Sequence, residues 1–358
     1  LGSDNGLTLA DLTGKAYDDP MWDQLLDQMS FEDMSLLVNL GGWQTAQIDS
    51  VGKVATSDCD GPAGVNNFIT GTYGTPYPTE VLMAQTWNTD LLYDLGLAMG
   101  QEYADVNNYG VYGPAMNTHR SAFAGRNFEY YSEDGVLAGK LAAAQVNAMA
   151  TKGTYNYIKH FALNDQETNR CAFLLTYSNE QAIREIYLKP FELCIKNFDG
   201  TQIAVMSSFN WIGTVPACAN EDTLTTILRN EWGFQGMVIT DYDGSYGYMI
   251  TDHCVRTGND LMLGFSSQAS NQLTNTESAT LNNALRTSCK NIMYTIANSG
   301  YYTNTTDEGG MSNMTKLFVT IDVVTVLLVV LCMALVIVRY RKKHAKVAEV
   351  APEEKKEE

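Results

Sequence analysis

Apolar residues recur at three- and four-residue steps over residues 22–40, 91–103, 136–149 and 183–194, the spacing that gives a helix one hydrophobic face. Another helix is marked at both ends: Asn220 stands as an N-cap before the acidic turn of EDTLTTILRNEW, and Gly233 stops it. Between the helices lie short apolar runs at 53–56, 109–112, 155–158, 203–206, 237–240 and 260–263, each the length of a buried strand. Such alternation implies an α/β fold with a parallel sheet. About six units over some 250 residues, with no glycine-rich fingerprint after the first strand, favour a (β/α)8-type, TIM-like barrel over a doubly wound sheet. The C-terminal ends of barrel strands form the mouth where chemistry occurs, and here they carry Asp58, Asp60, Asn117, His119, Lys159, His160, Ser207, Ser208 and Asp241.

The pattern changes at residue 317. LFVTIDVVTVLLVVLCMALVIV (317–338) matches the roughly 20 residues that cross a hydrocarbon layer, with Asp322 near one end. The basic cluster RYRKKHAK that follows belongs on the cytoplasmic side. The expected order is a connecting segment (1–30), a barrel (31–300), a stalk (301–316), a single C-terminal transmembrane helix (317–338) and a charged cytoplasmic tail (339–358). The barrel would then be extracellular, attached to the cell membrane.

Charge narrows the partners. Lys+Arg 23 against Asp+Glu 41 gives −18, a potential that repels phosphate backbones, so nucleic acid is excluded and neutral or cationic ligands are favoured. Seven cysteines form no C-x-x-C pair, and the four histidines (His119, His160, His253, His344) lack H-E-x-x-H spacing, so neither a metal nor a cofactor is implied. The first thirty residues lack the basic and apolar regions of a secretory signal, and the expectation is that export information precedes Leu1.

Four motifs carry the chemistry: SDCDGPAGV (57–65), GRNFEYYSED (125–134), IKHFALNDQETNR (158–170) and RNEWGFQGMVITDY (229–242). Together with TWNTDLLYDLGLAMGQE (86–102), in this order, they resemble the β-glucosidase branch of glycoside hydrolase family 3 over roughly residues 30–265. The resemblance implies a retaining, exo-acting enzyme that removes a terminal β-linked glucose or xylose. It assigns Asp241 as the nucleophile, and Asp60, Arg126, Lys159, His160 and Arg170 to hold sugar hydroxyls. Physical chemistry is compatible: a carboxylate delivered to a barrel mouth can attack an anomeric carbon, and forked or charged donors bind hydroxyl pairs. Arg126 could instead simply pair with Glu129, and Arg170 with Glu167. Tyr242 is a candidate pocket wall where relatives often carry Trp. Phe209 stands where the pattern usually has a tyrosine. The continuation ALNDQETNR after KHF disfavours the N-acetylglucosaminidase branch of the same family.

Retention needs a second carboxyl group about 5–5.5 Å from the nucleophile. The resemblance implies a glutamate on a separate domain, expected before Leu1. If the acid lies within this chain, Asp165, Glu167 and Asp243 are the first places to look. The alternative is a membrane-anchored sugar-binding protein that keeps the pocket without catalysis.

Overall fold

The strand Tyr155–Phe161 is buried along its whole length, as an apolar run without alternation requires. In this computed structural model, which describes residues 1–244, 246–265, 272–304 and 313–348, it pairs in parallel with Gly110–Tyr112 and with Ile203–Ser207. Gly110–Tyr112 pairs onward with Thr56–Asp60, and Ile203–Ser207 with Val238–Ile239, from which Ile239 bridges in parallel to Leu261.

Residues 38–45 close the ring. The Gly41 and Gly42 N–H groups donate to the Met262 and Gly264 carbonyls, both at 3.0 Å, and Gln44–Thr45 runs antiparallel beside Thr56 and Ser57. Glycine is needed at this seam: a Cβ on Gly41 would stand 2.4 Å from the Met262 carbonyl oxygen. The fold is therefore TIM-like, but among the described residues the ring holds fewer than eight parallel strands and an antiparallel segment completes it.

Helices Thr89–Asp105, Gly135–Ala150, Lys189–Lys196, the π-type Asp222–Glu231 and Thr251–Thr257 cover the outside between strands, and Ala279–Ala297 follows the last. The Asn220 carboxamide accepts the Thr223 N–H at 3.0 Å, as its position before the acidic turn predicts.

Several boundaries differ from expectation. The helical pattern at 22–40 is two helices, Met21–Asp27 and Phe31–Asn39, because Ser30 and Asp33 form a reciprocal capping box that restarts the helix. The pattern at 183–194 likewise breaks at Leu188, where Pro190 sits in the first turn of the next helix. The first strand begins at Thr56 instead of Lys53, whose ammonium turns inward to Thr45 Oγ1, Ala46 O and Val54 O. Residues 1–30 are more than a connector: Leu9, Leu12, Trp22 and Leu25 are wholly buried in the core that includes Ala279–Ala297.

The stalk expected from 301 does not begin there. Tyr301 accepts the Ser57 N–H at 2.8 Å and Tyr302 accepts the Val54 N–H at 3.0 Å, which ties both to the barrel. Residues 305–312 lie outside the described residues, as do 349–358 of the expected tail. Among the described residues, the unit of residues 306–358 is the helix Asn313–Ala348, extending past both ends of the apolar run. Its segment Leu317–Lys342, whose most apolar 18-residue stretch has a mean hydropathy of 3.1, is long and apolar enough to cross a membrane.

Candidate active site

Asp241 follows the short strand Val238–Ile239, whose end is held by Thr240: its N–H donates to Leu261 O and its Oγ1 accepts the Leu263 N–H, each at 2.9 Å. The carboxylate is buried. Its Oδ1 accepts the Tyr242 N–H at 2.7 Å, while Oδ2 accepts no hydrogen bond among the described residues. Burial raises the Asp241 pKa above its ordinary value, and Arg126, Arg170, the Tyr242 N–H and Lys159 oppose that rise. One carboxylate oxygen is thus fixed and the other left open in a cationic field.

His160 Nε2 lies 3.8 Å from Asp241 Oδ2. Burial, with Arg126, Lys159 and Arg170 nearby, drives the imidazole pKa well below its ordinary value, so the ring is neutral. Asn164 Nδ2 donates to Tyr130 Oη at 2.8 Å, and the Tyr130 hydroxyl lies 3.2 Å from His160 Nδ1 and 3.4 Å from the Asn164 carbonyl oxygen.

Neighbours on a regular strand point to opposite faces, so Lys159 and His160 cannot both reach one pocket without a break. The break is present: the ladder to Ile203–Ser207 slips between Ile158 and Phe161. Asn117 holds the distorted backbone, accepting the His160 N–H at 2.7 Å and donating to the His160 carbonyl at 2.9 Å.

Arg126 and Lys159 share Glu129, which accepts Arg126 Nε at one oxygen and lies 3.8 Å from Lys159 Nζ at the other. Burial raises the Glu129 carboxyl, but Lys159 and Arg126 outweigh it and hold the pKa below its ordinary value. Burial lowers the Lys159 pKa, opposed by Glu129. Arg170 Nε lies 3.0 Å from Glu167 Oε2, and its guanidinium sits 4.4 Å over the Phe209 ring, a cation–π contact. Its Nη1 is buried without a partner among the described residues. The local pairings Arg126–Glu129 and Arg170–Glu167 are both formed.

Asp60 ends the strand Thr56–Asp60 and accepts the Trp43 indole N–H at 2.9 Å. Trp43 also packs against Tyr242 with ring centroids 5.8 Å apart, so the two rings form one wall. Sequence reasoning missed Trp43, Tyr130, Asn164 and the double role of Glu129. It also missed Glu80, wholly buried near Glu129 and Lys159. The backbone N–H groups of Glu80 and Ala115 approach its carboxyl, yet neither oxygen makes a well-formed hydrogen bond. Burial pushes the Glu80 pKa up to about 8.

Of the carboxyls named as in-chain acid candidates, Glu167 is engaged by Arg170 and by Asn164 Nδ2 at 3.0 Å. Asp165 is pushed up to about 6 by burial, opposed by Arg120. Asp243 is wholly buried.

A TIM-like barrel with a buried carboxylate among cationic side chains at its mouth has the frame of a glycoside hydrolase. The chain belongs to glycosyl hydrolase family 3: the profile of that family's N-terminal domain matches residues 45–270. β-Glucosidase A of Butyrivibrio fibrisolvens is 39% identical over 250 residues, covering 68% of this chain and 29% of that protein. A β-glucosidase of Rhizobium radiobacter is 35% identical over 245 residues, covering 67% and 29%. Among solved structures, β-glucosidase 3B of Thermotoga neapolitana in complex with α-D-glucose superposes with a TM-score of 0.68 at 32% identity, covering 79% of this chain and 43% of that one. A β-glucosidase of Paenibacillus barengoltzii gives 0.72 at 31% identity, covering 85% and 35%. The chain spans less than half the length of these relatives.

Proposed function

We propose that this chain is the barrel of a retaining, exo-acting β-glucosidase-type enzyme that removes terminal β-linked glucosyl or xylosyl residues from oligosaccharides. The observation that carries the reading is Asp241 Oδ2, a buried carboxylate oxygen without a hydrogen bond, in the field of Arg126, Arg170 and Lys159.

In the proposed reaction Oδ2 attacks the anomeric carbon as the glycosidic bond breaks and its oxygen takes a proton, and water later hydrolyses the glycosyl ester. Asp60, Arg126, Lys159, His160 and Arg170 hold the hydroxyls. Tyr242 and Trp43 offer the sugar an aromatic face. Phe209 brings no hydroxyl to the nucleophile and instead supports the Arg170 guanidinium from below.

We place the proton donor on a domain outside this chain, a reading supported by the greater length of the relatives and by the engagement of Glu167. The glucose bound to the Thermotoga neapolitana enzyme favours glucose over xylose here. Residues 317–338 are proposed to span the cell membrane once, with the barrel outside and the basic residues that follow Val338 on the cytoplasmic side.

The test is incubation of the full chain in detergent with 2,4-dinitrophenyl 2-deoxy-2-fluoro-β-glucoside, whose leaving group needs little protonation, followed by peptide mass spectrometry. Label on Asp241, lost in Asp241→Ala, supports the reading. Label on another carboxylate overturns the assignment. Glucose binding with no label favours a sugar-binding protein without catalysis.

A further inference from the structure

A strip of aromatic rings runs outward from the sugar-binding groups. Phe209, buried beneath the Arg170 guanidinium, packs edge-on to Tyr246 with ring centroids 5.8 Å apart. Tyr246 stacks on Tyr248 at 6.5 Å, and Tyr248 meets Trp211 at 5.6 Å and Phe173 at 6.3 Å. Trp211 and Phe173 also touch each other, at 5.3 Å. The inner end borders the nucleophile, because Tyr242 packs against the cluster that holds Phe209 and Tyr248.

The segments that carry these rings leave the C-terminal ends of the parallel strands Tyr155–Phe161, Ile203–Ser207 and Val238–Ile239, which puts the strip at the barrel mouth. Hydrogen bonds fix their places. The Trp211 N–H donates to the Leu174 carbonyl at 2.8 Å, Trp211–Ile212 pairs in parallel with Leu175–Thr176, and Tyr248 Oη donates to the Phe209 carbonyl at 2.9 Å. Tyr246 is 42% exposed, and Phe173, at the far end, is 64% exposed. Phe173 is also held at φ 60°, a left-handed conformation that costs a residue with a side chain. A ring left mostly in water contributes little to folding that could offset this strain, so the placement points to a ligand.

We propose that the strip binds the sugar rings that follow the terminal one in an oligosaccharide, with Tyr246 meeting the first of them and Phe173 the second. The assignment rests on a glycosidase pocket at Asp241 and Arg170, from which the remainder of the substrate must leave through the mouth. Pyranose rings lay apolar C–H faces on aromatic side chains and keep their hydroxyls in water, which suits a strip open to solvent on one side. A purely apolar leaving group would gain most from enclosure, and Phe173 and Tyr246 do not enclose it.

The experiment is titration calorimetry of the full chain in detergent with glucose and with thio-linked glucose oligomers of two and three units, β-1,4 and β-1,3, which resist hydrolysis. Affinity should rise from one unit to two and again to three in at least one series. Phe173→Ala should weaken the three-unit ligand by about 3–10-fold and leave the glucose Kd unchanged, and Phe173→Tyr, which keeps the ring, should restore the affinity. Phe173→Leu, apolar but without a ring, should behave as Phe173→Ala. Glucose binding with no gain at three units, or the same gain in Phe173→Ala as in wild type, overturns the strip and leaves the pocket standing. Absence of glucose binding by the wild-type chain overturns the pocket, and the strip with it.

Discussion

Glu129 Oε2 lies 3.8 Å from the Lys159 ammonium while Oε1 of the same carboxylate holds Arg126, so two cations share one buried anion. Removing that charge leaves Lys159 buried with its nearest counter-ion gone, a change that typically costs 3–5 kcal/mol in a buried pair. Glu129→Gln is expected to raise the glucose Kd by about 10–100-fold and to lower Tm, read by titration calorimetry and thermal melting. Unchanged affinity would mean that Lys159 takes no part in binding.

Trp43 donates to Asp60 and walls the pocket beside Tyr242. Trp43→Phe keeps most of the ring and deletes the donor. A hydrogen bond to a charged group contributes about 1.5–3 kcal/mol, so glucose affinity should fall by about ten-fold or more, with little change in the circular dichroism of the fold. Equal loss in Trp43→Phe and Trp43→Ala would assign the effect to the hydrogen bond, and a much larger loss in Ala to the ring.

Glu80 gives a stability signature in pH. Its carboxyl holds its proton up to about pH 8 in the folded chain, against an ordinary value of 4.5. The folded-state pKa is raised, so its contribution is fully present below about pH 4.5 and is lost as pH rises through about 8. Glu80→Gln keeps the shape without the titration. The Tm of this variant should match wild type near pH 5, exceed it increasingly up to about pH 8 and level off above that. Parallel curves across that range would show that Glu80 stays ionised or finds a partner.

The long apolar helix makes a separate prediction. A chain ending at residue 316 should be released from liposomes that retain the full chain, scored by flotation, and protease added to intact cells should cleave the part before residue 317. Protection of that part with cleavage of the basic end would reverse the proposed orientation.

The reading frame of the fold was legible because buried strands and amphipathic helices announce themselves locally. Short-range signals also placed Asp241, Lys159 and His160 at strand ends. What stayed hidden is non-local. Trp43 meets Asp60 from 17 residues away and Tyr130 meets His160 from 30 away, and a single tryptophan or tyrosine has no local pattern to mark such a meeting. The split at Ser30 was different: its capping box was readable, but continuous helical spacing on both sides masked it. Glu80 opens the helix Glu80–Ala84 with no local pattern to mark it as buried, and its burial comes only from tertiary packing.

The glycine seam sets an order of events during synthesis. Gly41 and Gly42 emerge from the ribosome long before Met262 and Gly264, to which they must bond, so the ring cannot shut until nearly the whole barrel has been made. Until then the nascent sheet carries an open edge next to unfinished core. The two glycines, with no side chain to block late docking, let the last elements slide into place against a backbone that has been waiting since the beginning.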